Sequence, residues 1–130
     1  MTFQEIAARL QSLFGEAVLE VRSEGVVDPF VKAAPARIHD IALVLRNDPG
    51  LRFDYLMCLS GVDNGKETLG VVYHLSSMTH NHKLTLKANV PVSDTRVPTV
   101  SDVWPTANWH EREAWDMMGI VFVNHPDLRR

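Results

Sequence analysis

Lys83–Val90 alternates strictly, with Leu84, Leu86 and Ala88 on one side and Lys83, Thr85 and Lys87 on the other. A period of two marks an extended strand with one dry face and one wet face. Such a strand needs hydrogen-bonded neighbours and an apolar layer over its dry side. Thr68–Ser76 is a long β-prone run reached through turn-like Ser77–Asn81, so the two are predicted to pair antiparallel. Leu51–Ser60 reads as a further strand covered on both sides. It carries Leu51, Phe53, Tyr55, Met57 and Leu59 on one face and Leu56 and Cys58 on the other. Asp63–Asn64–Gly65 after it is a turn signal.

The cover must come from helices. Thr2–Phe3–Gln4–Glu5 has capping-box spacing, and Ile6, Leu10, Leu13 and Phe14 follow on one stripe up to Gly15. Pro35 to Asn47 reads as a second helix with Ile38, Ile41, Ala42 and Leu45 as its core stripe, closed by Asp48–Pro49–Gly50. Between these helices, Ala17–Arg22 alternates Leu19 and Val21 against Glu20 and Arg22. Ser23–Glu24–Gly25 is a turn, and Val26–Lys32 is a second strand that Pro29 makes edge-like. Pro91–Ser101 reads as a loop. The expected fold is α+β: one two-layer domain over 1–130, with a mainly antiparallel sheet and about three helices packed against it.

The third helix lies in Trp104–Met118, and Gly119 stands where a left-handed helix-ending residue is expected. Ile120–Val123 follows as a short β-prone run, and Asn124–His125–Pro126–Asp127 as a turn cluster. On a wheel of about 100° per residue, Trp104, Ala107, Asn108, Ala114, Trp115 and Met118 share an arc with Glu111 near its centre. His110, Arg112, Glu113 and Asp116 occupy the rest, together with Trp109 and Met117. A carboxylate inside an apolar arc demands a buried partner. An indole and a thioether among charges point to a surface that meets another molecule.

Composition narrows the function. Thirteen basic against sixteen acidic residues, with no basic run, argue against nucleic acid as the main partner. The longest uncharged apolar run, Tyr55–Val62, is far short of the roughly 20 residues of a membrane-spanning helix. Glu5 and Arg9 interrupt any signal-like layout at the N-terminus. A cytosolic chain is expected, or one held at a membrane through partners. Cys58 is the single cysteine, which excludes an intrachain disulfide and a four-cysteine iron–sulfur ligand set. Its apolar neighbours predict a buried, inert thiol.

The remaining chemistry is sparse. His80 and His82 share a side if extended, with His74 as the available third ligand, but the turn context favours solvated side chains. His110 and Glu113 have the i, i+3 spacing of bridged metal sites, which require the motif twice; here it occurs once. Glu111 and Glu113 point about 160° apart on the helix and cannot share a substrate. Arg112 and Asp116, spaced i, i+4, are expected to pair. There is no phosphate loop, nucleophile elbow or dinucleotide fingerprint. A free-standing metal-dependent enzyme built on the histidines and acidic residues is the reading of a different class.

Glu111–Arg112–Glu113, Asp116, Met117–Met118, Gly119–Ile120 and His125–Pro126–Asp127–Leu128–Arg129–Arg130 together resemble the signature of one family. It is the thirty-kilodalton subunit, lettered C, of respiratory complex I, the NADH–quinone oxidoreductase. The likeness extends upstream through Trp104–Pro105, Ala107–Asn108–Trp109, Tyr73–His74–Leu75 and Gly61–Val62–Asp63. Trp115 and Met118 stand where that family has tyrosine and commonly phenylalanine, and its members usually continue into a further C-terminal tail. The resemblance implies a non-redox structural subunit of the peripheral arm. It would dock to the quinone-module subunit, lettered D in such complexes, near the quinone-reducing end. It would carry no cofactor itself, while flavin mononucleotide, iron–sulfur clusters and quinone belong to the parent complex. It would lie peripherally on the cytoplasmic face of the cell membrane. Equivalent subunits of membrane-bound nickel–iron hydrogenase and formate hydrogenlyase are the nearest alternative.

The expected docking residues are Trp109, Arg112, Glu113, Asp116 and Met117, with His125, Asp127, Arg129 and Arg130 of the chain end. Glu111 is expected to be a buried charge. Arg52, Arg96 and Arg37 are its candidate cations, and Arg96 is favoured because its loop leads into the helix.

Overall fold

The computed structural model describes residues 2–25 and 28–126. Helix α1 (Phe3–Phe14) starts on a capping box in which Thr2 and Glu5 exchange hydrogen bonds, and it ends at Gly15 with φ 54°. Strands β1 (Val18–Arg22) and β2 (Phe30–Ala33) follow, then a 3₁₀ turn at Pro35–Arg37 and helix α2 (Ile38–Asn47). The meander is β3 (Tyr55–Gly65), β4 (Thr68–Ser77) and β5 (His82–Pro91). The chain then runs through β6 (Arg96–Pro98), α3 (Ala107–Met118) and β7 (Val121–Val123).

The main sheet has the order β1-β2-β5-β4-β3, in which β2 and β5 are parallel and the other three pairings antiparallel. Register aligns Val31, Leu86, Tyr73 and Leu59 in one row. All four are buried, and they share a core cluster with Ile6 and Leu10 of α1, Ile38, Ile41 and Leu45 of α2, and Ala107 and Ala114 of α3. The next row, Phe30, Thr85, His74 and Cys58, turns to the opposite face. There the Lys87 ammonium lies 4.0 Å over the Phe30 ring. This is the expected α+β two-layer arrangement, with a mixed sheet.

Several local expectations are corrected. β2 is internal rather than an edge, because Pro29 precedes its first residue and removes no ladder donor. Leu13 and Leu19 are exposed, the latter beside a register shift between Val18 and Glu20. The strand expected at Leu51 begins at Tyr55, and its sides are not both covered. A bulge between Leu56 and Cys58 shifts the alternation by one, so Leu56 and Leu59 are buried while Tyr55 and Met57 are exposed.

The β3–β4 turn lies at Lys66 and Glu67, both with positive φ (53° and 62°), as a two-residue hairpin loop requires. The turn signal at Asp63–Asn64–Gly65 thus sits just before it. Cys58 is half-buried rather than enclosed, with Sγ 3.3 Å from the Ser60 hydroxyl. Pro91–Ser101 is not wholly a loop: β6 pairs parallel with β7, with Val97 opposite Phe122.

Candidate docking surface

The third helix is fixed at both ends. Trp104, buried just before it, donates from Nε1 to the Phe53 carbonyl at 2.7 Å. Gly119 ends it in the left-handed region at φ 77°, with its N–H on the Trp115 carbonyl. The Thr95 hydroxyl then donates to the Gly119 carbonyl at 2.8 Å, drawing β7 beside β6. Gly61 of β3 lets the helix sit close, since a Cβ there would lie 3.1 Å from both Ile120 Cδ1 and Met118 Cγ.

Glu111 points inward and is fully buried. Among the described residues it has no arginine or lysine partner. Its carboxyl accepts from the Thr99 hydroxyl and, at 2.9 Å, from the Val100 N–H. The imidazole of His125 is also enclosed, with Nε2 hydrogen-bonded to the Asn108 carbonyl at 3.0 Å and 3.8 Å from Glu111 Oε1. Burial pushes the Glu111 pKa up to about 7; the Thr99 and Val100 hydrogen bonds oppose that rise, and the charge of Asp102 adds to it. The buried Tyr73 hydroxyl has no hydrogen-bond partner among the described residues. Burial, with the Glu111 charge, holds it well above the ordinary tyrosine range.

The expectation of an arginine partner is therefore overturned. Arg96 begins a short strand whose inward residue is Val97, so its guanidinium points out and clasps Asp94 at 2.8 and 3.0 Å. Arg37 pairs with Asp40 and lies over Phe14. Arg52 is exposed in the loop before β3. Thr99 and Val100 are absent from the expected partners. Their signal is the Thr-Val-Ser-Asp run, whose hydroxyls and free amides suit an inward-facing loop. Thr99, Ser101 and Asn108 also line a cleft of ≈ 620 Å³, together with a His39–Asp102 pair at 2.7 Å.

The outer face of α3 carries the expected docking residues. Trp109 is 67 % exposed and Met117 73 %, and Glu113 and Asp116 are exposed as well. Arg112 is half-buried. Its guanidinium lies 5.9 Å over the Trp109 ring and its buried Nε has no hydrogen-bond partner among the described residues, so the expected Arg112–Asp116 pair does not form. His125 belongs to the enclosed Glu111 cluster and leaves the docking set. Asp127, Arg129 and Arg130 lie outside the described residues.

His80 and His82 serve the fold. They contact the carbonyls of Pro49 and Leu51, each at 2.7 Å, tying the β4–β5 turn to the loop after α2. His82 is buried rather than solvated as expected. Among the described residues, no three His, Cys, Asp or Glu side chains converge as metal ligands.

Residues 31–130 match the family described as "Respiratory-chain NADH dehydrogenase, 30 Kd subunit". The NADH-quinone oxidoreductase subunit lettered C from Chloroherpeton thalassium is 47 % identical over 97 % of this chain and 53 % of its own length. Its counterpart from Roseiflexus castenholzii is 46 % identical over 96 % of this chain and 72 % of its own. The chain thus spans about half of the first relative and under three-quarters of the second. Among solved structures, the trypsin-resistant fragment (1–134) of Nqo5 is similar with a TM-score of 0.78 and 28 % identity, covering 98 % of this chain and all of that one. A chain of an archaeal membrane-bound sulfane sulfur reductase shares the fold with a TM-score of 0.75 at 23 % identity, covering 94 % of this chain and 71 % of that one. The chain belongs to the family of the 30 kDa subunit of the respiratory-chain NADH dehydrogenase.

Proposed function

We propose that this chain is a non-redox structural subunit of the peripheral arm of an NADH–quinone oxidoreductase. It docks to the quinone-module subunit, the one lettered D, beside the site of quinone reduction. The observation that carries the reading is the outer face of α3. Two large apolar side chains, Trp109 and Met117, stand in water on the helix that bears the family signature. Aromatic, methionine and arginine side chains are the groups enriched in the cores of protein interfaces. The proposed docking set is Trp109, Arg112, Glu113, Asp116 and Met117 of the helix, with Asp127, Arg129 and Arg130 of the chain end.

The single cysteine supports the absence of a cluster of its own. On this reading the flavin, the clusters and the quinone belong to partner subunits. No helix among the described residues is long and apolar enough to cross a membrane, which fits a subunit held at the cytoplasmic face by its partners. The span 1–130 is proposed to fold as one unit. In support, most of the buried apolar residues among those described belong to one core cluster, and the similar Nqo5 chain is itself a trypsin-resistant fragment.

The test is co-expression with a tagged quinone-module subunit of the quinone reductase or, separately, a tagged large subunit of a membrane-bound nickel–iron hydrogenase. Stoichiometric capture by the quinone-module subunit supports the proposal. Capture by the hydrogenase subunit alone would move the chain to that class of complex, and capture by neither would overturn the docking role.

A further inference from the structure

The longest uncharged apolar run of the chain, Tyr55–Val62, lies in a strand at the outer edge of the sheet. β3 pairs with β4 on one side and, among the described residues, with no strand on the other. Bulges interrupt it at Leu56–Cys58 and Asp63–Gly65, but the register from Cys58 to Asp63 is unbroken. In such a stretch, alternate residues turn both N–H and C=O away from the partner strand. Outside the β3–β4 ladder, the main-chain groups of Cys58–Val62 make no hydrogen bond to the described residues. Protein edges are ordinarily blunted by lysine, proline or charge. Cys58–Val62 has none of these.

Beside this edge runs a groove of ≈ 180 Å³ lined by Leu59, Ser60 and Gly61 and, on α3, by Glu113, Ala114 and Met117. Leu59 and Gly61 face the core and Ser60 the other side, so a groove touching all three follows the strand backbone.

We propose that the β3 edge receives an extended segment of a neighbouring subunit, which adds as a strand outside β3 and beneath α3. This rests on the reading of the chain as a subunit of a larger complex. The outward main-chain groups hold the segment's backbone, the mode of β-strand addition. Leu59 and Met117 take an apolar side chain, and Glu113 at the rim selects a lysine or arginine beside it. A second copy is disfavoured, because it would bring a second Glu113-bearing wall to the shared edge.

Amide hydrogen exchange on the isolated chain and on the complex assembled with the quinone-module subunit tests this directly. The outward amides of Cys58–Val62 are expected to exchange quickly in the isolated chain and at least about tenfold more slowly in the complex. Ser60→Lys, which blunts the wet side of the edge, is expected to weaken assembly by about tenfold at an unchanged melting temperature, whereas Ser60→Thr is not. Equal exchange rates in the chain and in the assembled complex would overturn the inference and leave the docking role standing. Protection that grows with the concentration of the isolated chain would replace the partner segment with a second copy. Failure to assemble with any partner subunit would overturn both readings.

Discussion

The Val100 N–H donates to Oε2 of Glu111 at 2.9 Å, and this bond ties the signature helix to the loop after β6. With the Thr99 hydroxyl on the other oxygen, it gives a fully buried carboxyl two donors and, among the described residues, no lysine or arginine. Its neighbours therefore hold the carboxyl by hydrogen bonds from Thr99 and Val100 rather than by pairing it with an arginine or lysine among the described residues.

That arrangement fixes a pH dependence. The folded pKa of Glu111 is about 7, above the ordinary glutamate value of 4.5. A raised carboxyl pKa means that the folded state holds the proton more tightly than the unfolded one. The stability it contributes is complete below pH 4.5 and is lost as pH rises through 7. Glu111→Gln keeps an acceptor but cannot ionise. The stability of wild type relative to this variant should fall by roughly 3 kcal/mol across that window. Urea unfolding of both proteins at a series of pH values checks it, and a pH-independent difference would show that Glu111 ionises freely in the folded chain.

Glu111→Ala removes the acceptor altogether. It leaves the Thr99 hydroxyl and Val100 N–H buried without their partner, beside a small cavity, and should destabilise by about 2–4 kcal/mol at pH 6. Charge reversal at Arg96, which pairs with Asp94 in water, should change stability by less than about 1 kcal/mol. Equal losses from the two changes in chemical denaturation would restore an ion pair at Glu111.

Gly61 sets the distance between β3 and α3. Its added Cβ would meet the ends of flexible side chains, Ile120 Cδ1 and Met118 Cγ, at 3.1 Å. Gly61→Ala should be tolerated within about 1 kcal/mol, whereas Gly61→Val should cost about 1–3 kcal/mol by forcing the helix away. Thermal melts of the two variants compare them.

The buried histidine offers a separate check. His82 stands 4.7 Å from the Phe53 ring centroid and 2.7 Å from the Leu51 carbonyl. His82→Ala should destabilise by about 1–3 kcal/mol. His80→Ala, which removes a more exposed contact, should cost less than about 1 kcal/mol. Denaturation midpoints that rank the two in the opposite order would contradict this assignment.

Elements that carry their own periodic signal are legible in the sequence. Ile38, Ile41, Ala42 and Leu45 are the four buried residues of α2, and Gly119 takes the left-handed conformation its position requires. The inward direction of Glu111 and the exposure of Trp109 and Met117 also follow from helical spacing alone. Three-residue β6 is not legible, because so short a strand shows no periodicity and its pairing with β7 joins segments separated by α3. The faces of β3 differ from expectation because a bulge breaks the period of two without changing composition. The sequence directs the search for a partner of Glu111 to cations, although a buried carboxyl is served equally well by a hydroxyl and a backbone amide. His125 joins that cluster from the turn after β7, which the sequence marks, but its place beside Glu111 depends on tertiary packing that no local spacing shows.

On the proposed reading, the outer face of α3 is where this chain joins its complex. The most direct measurement is isothermal titration calorimetry of the quinone-module subunit with wild type and with the Trp109→Ala, Met117→Ala double variant. Both side chains are exposed, so the double variant should keep its melting temperature within a few degrees. It is expected to bind at least about tenfold more weakly than wild type. An unchanged affinity at an unchanged melting temperature would place the docking surface elsewhere on the chain.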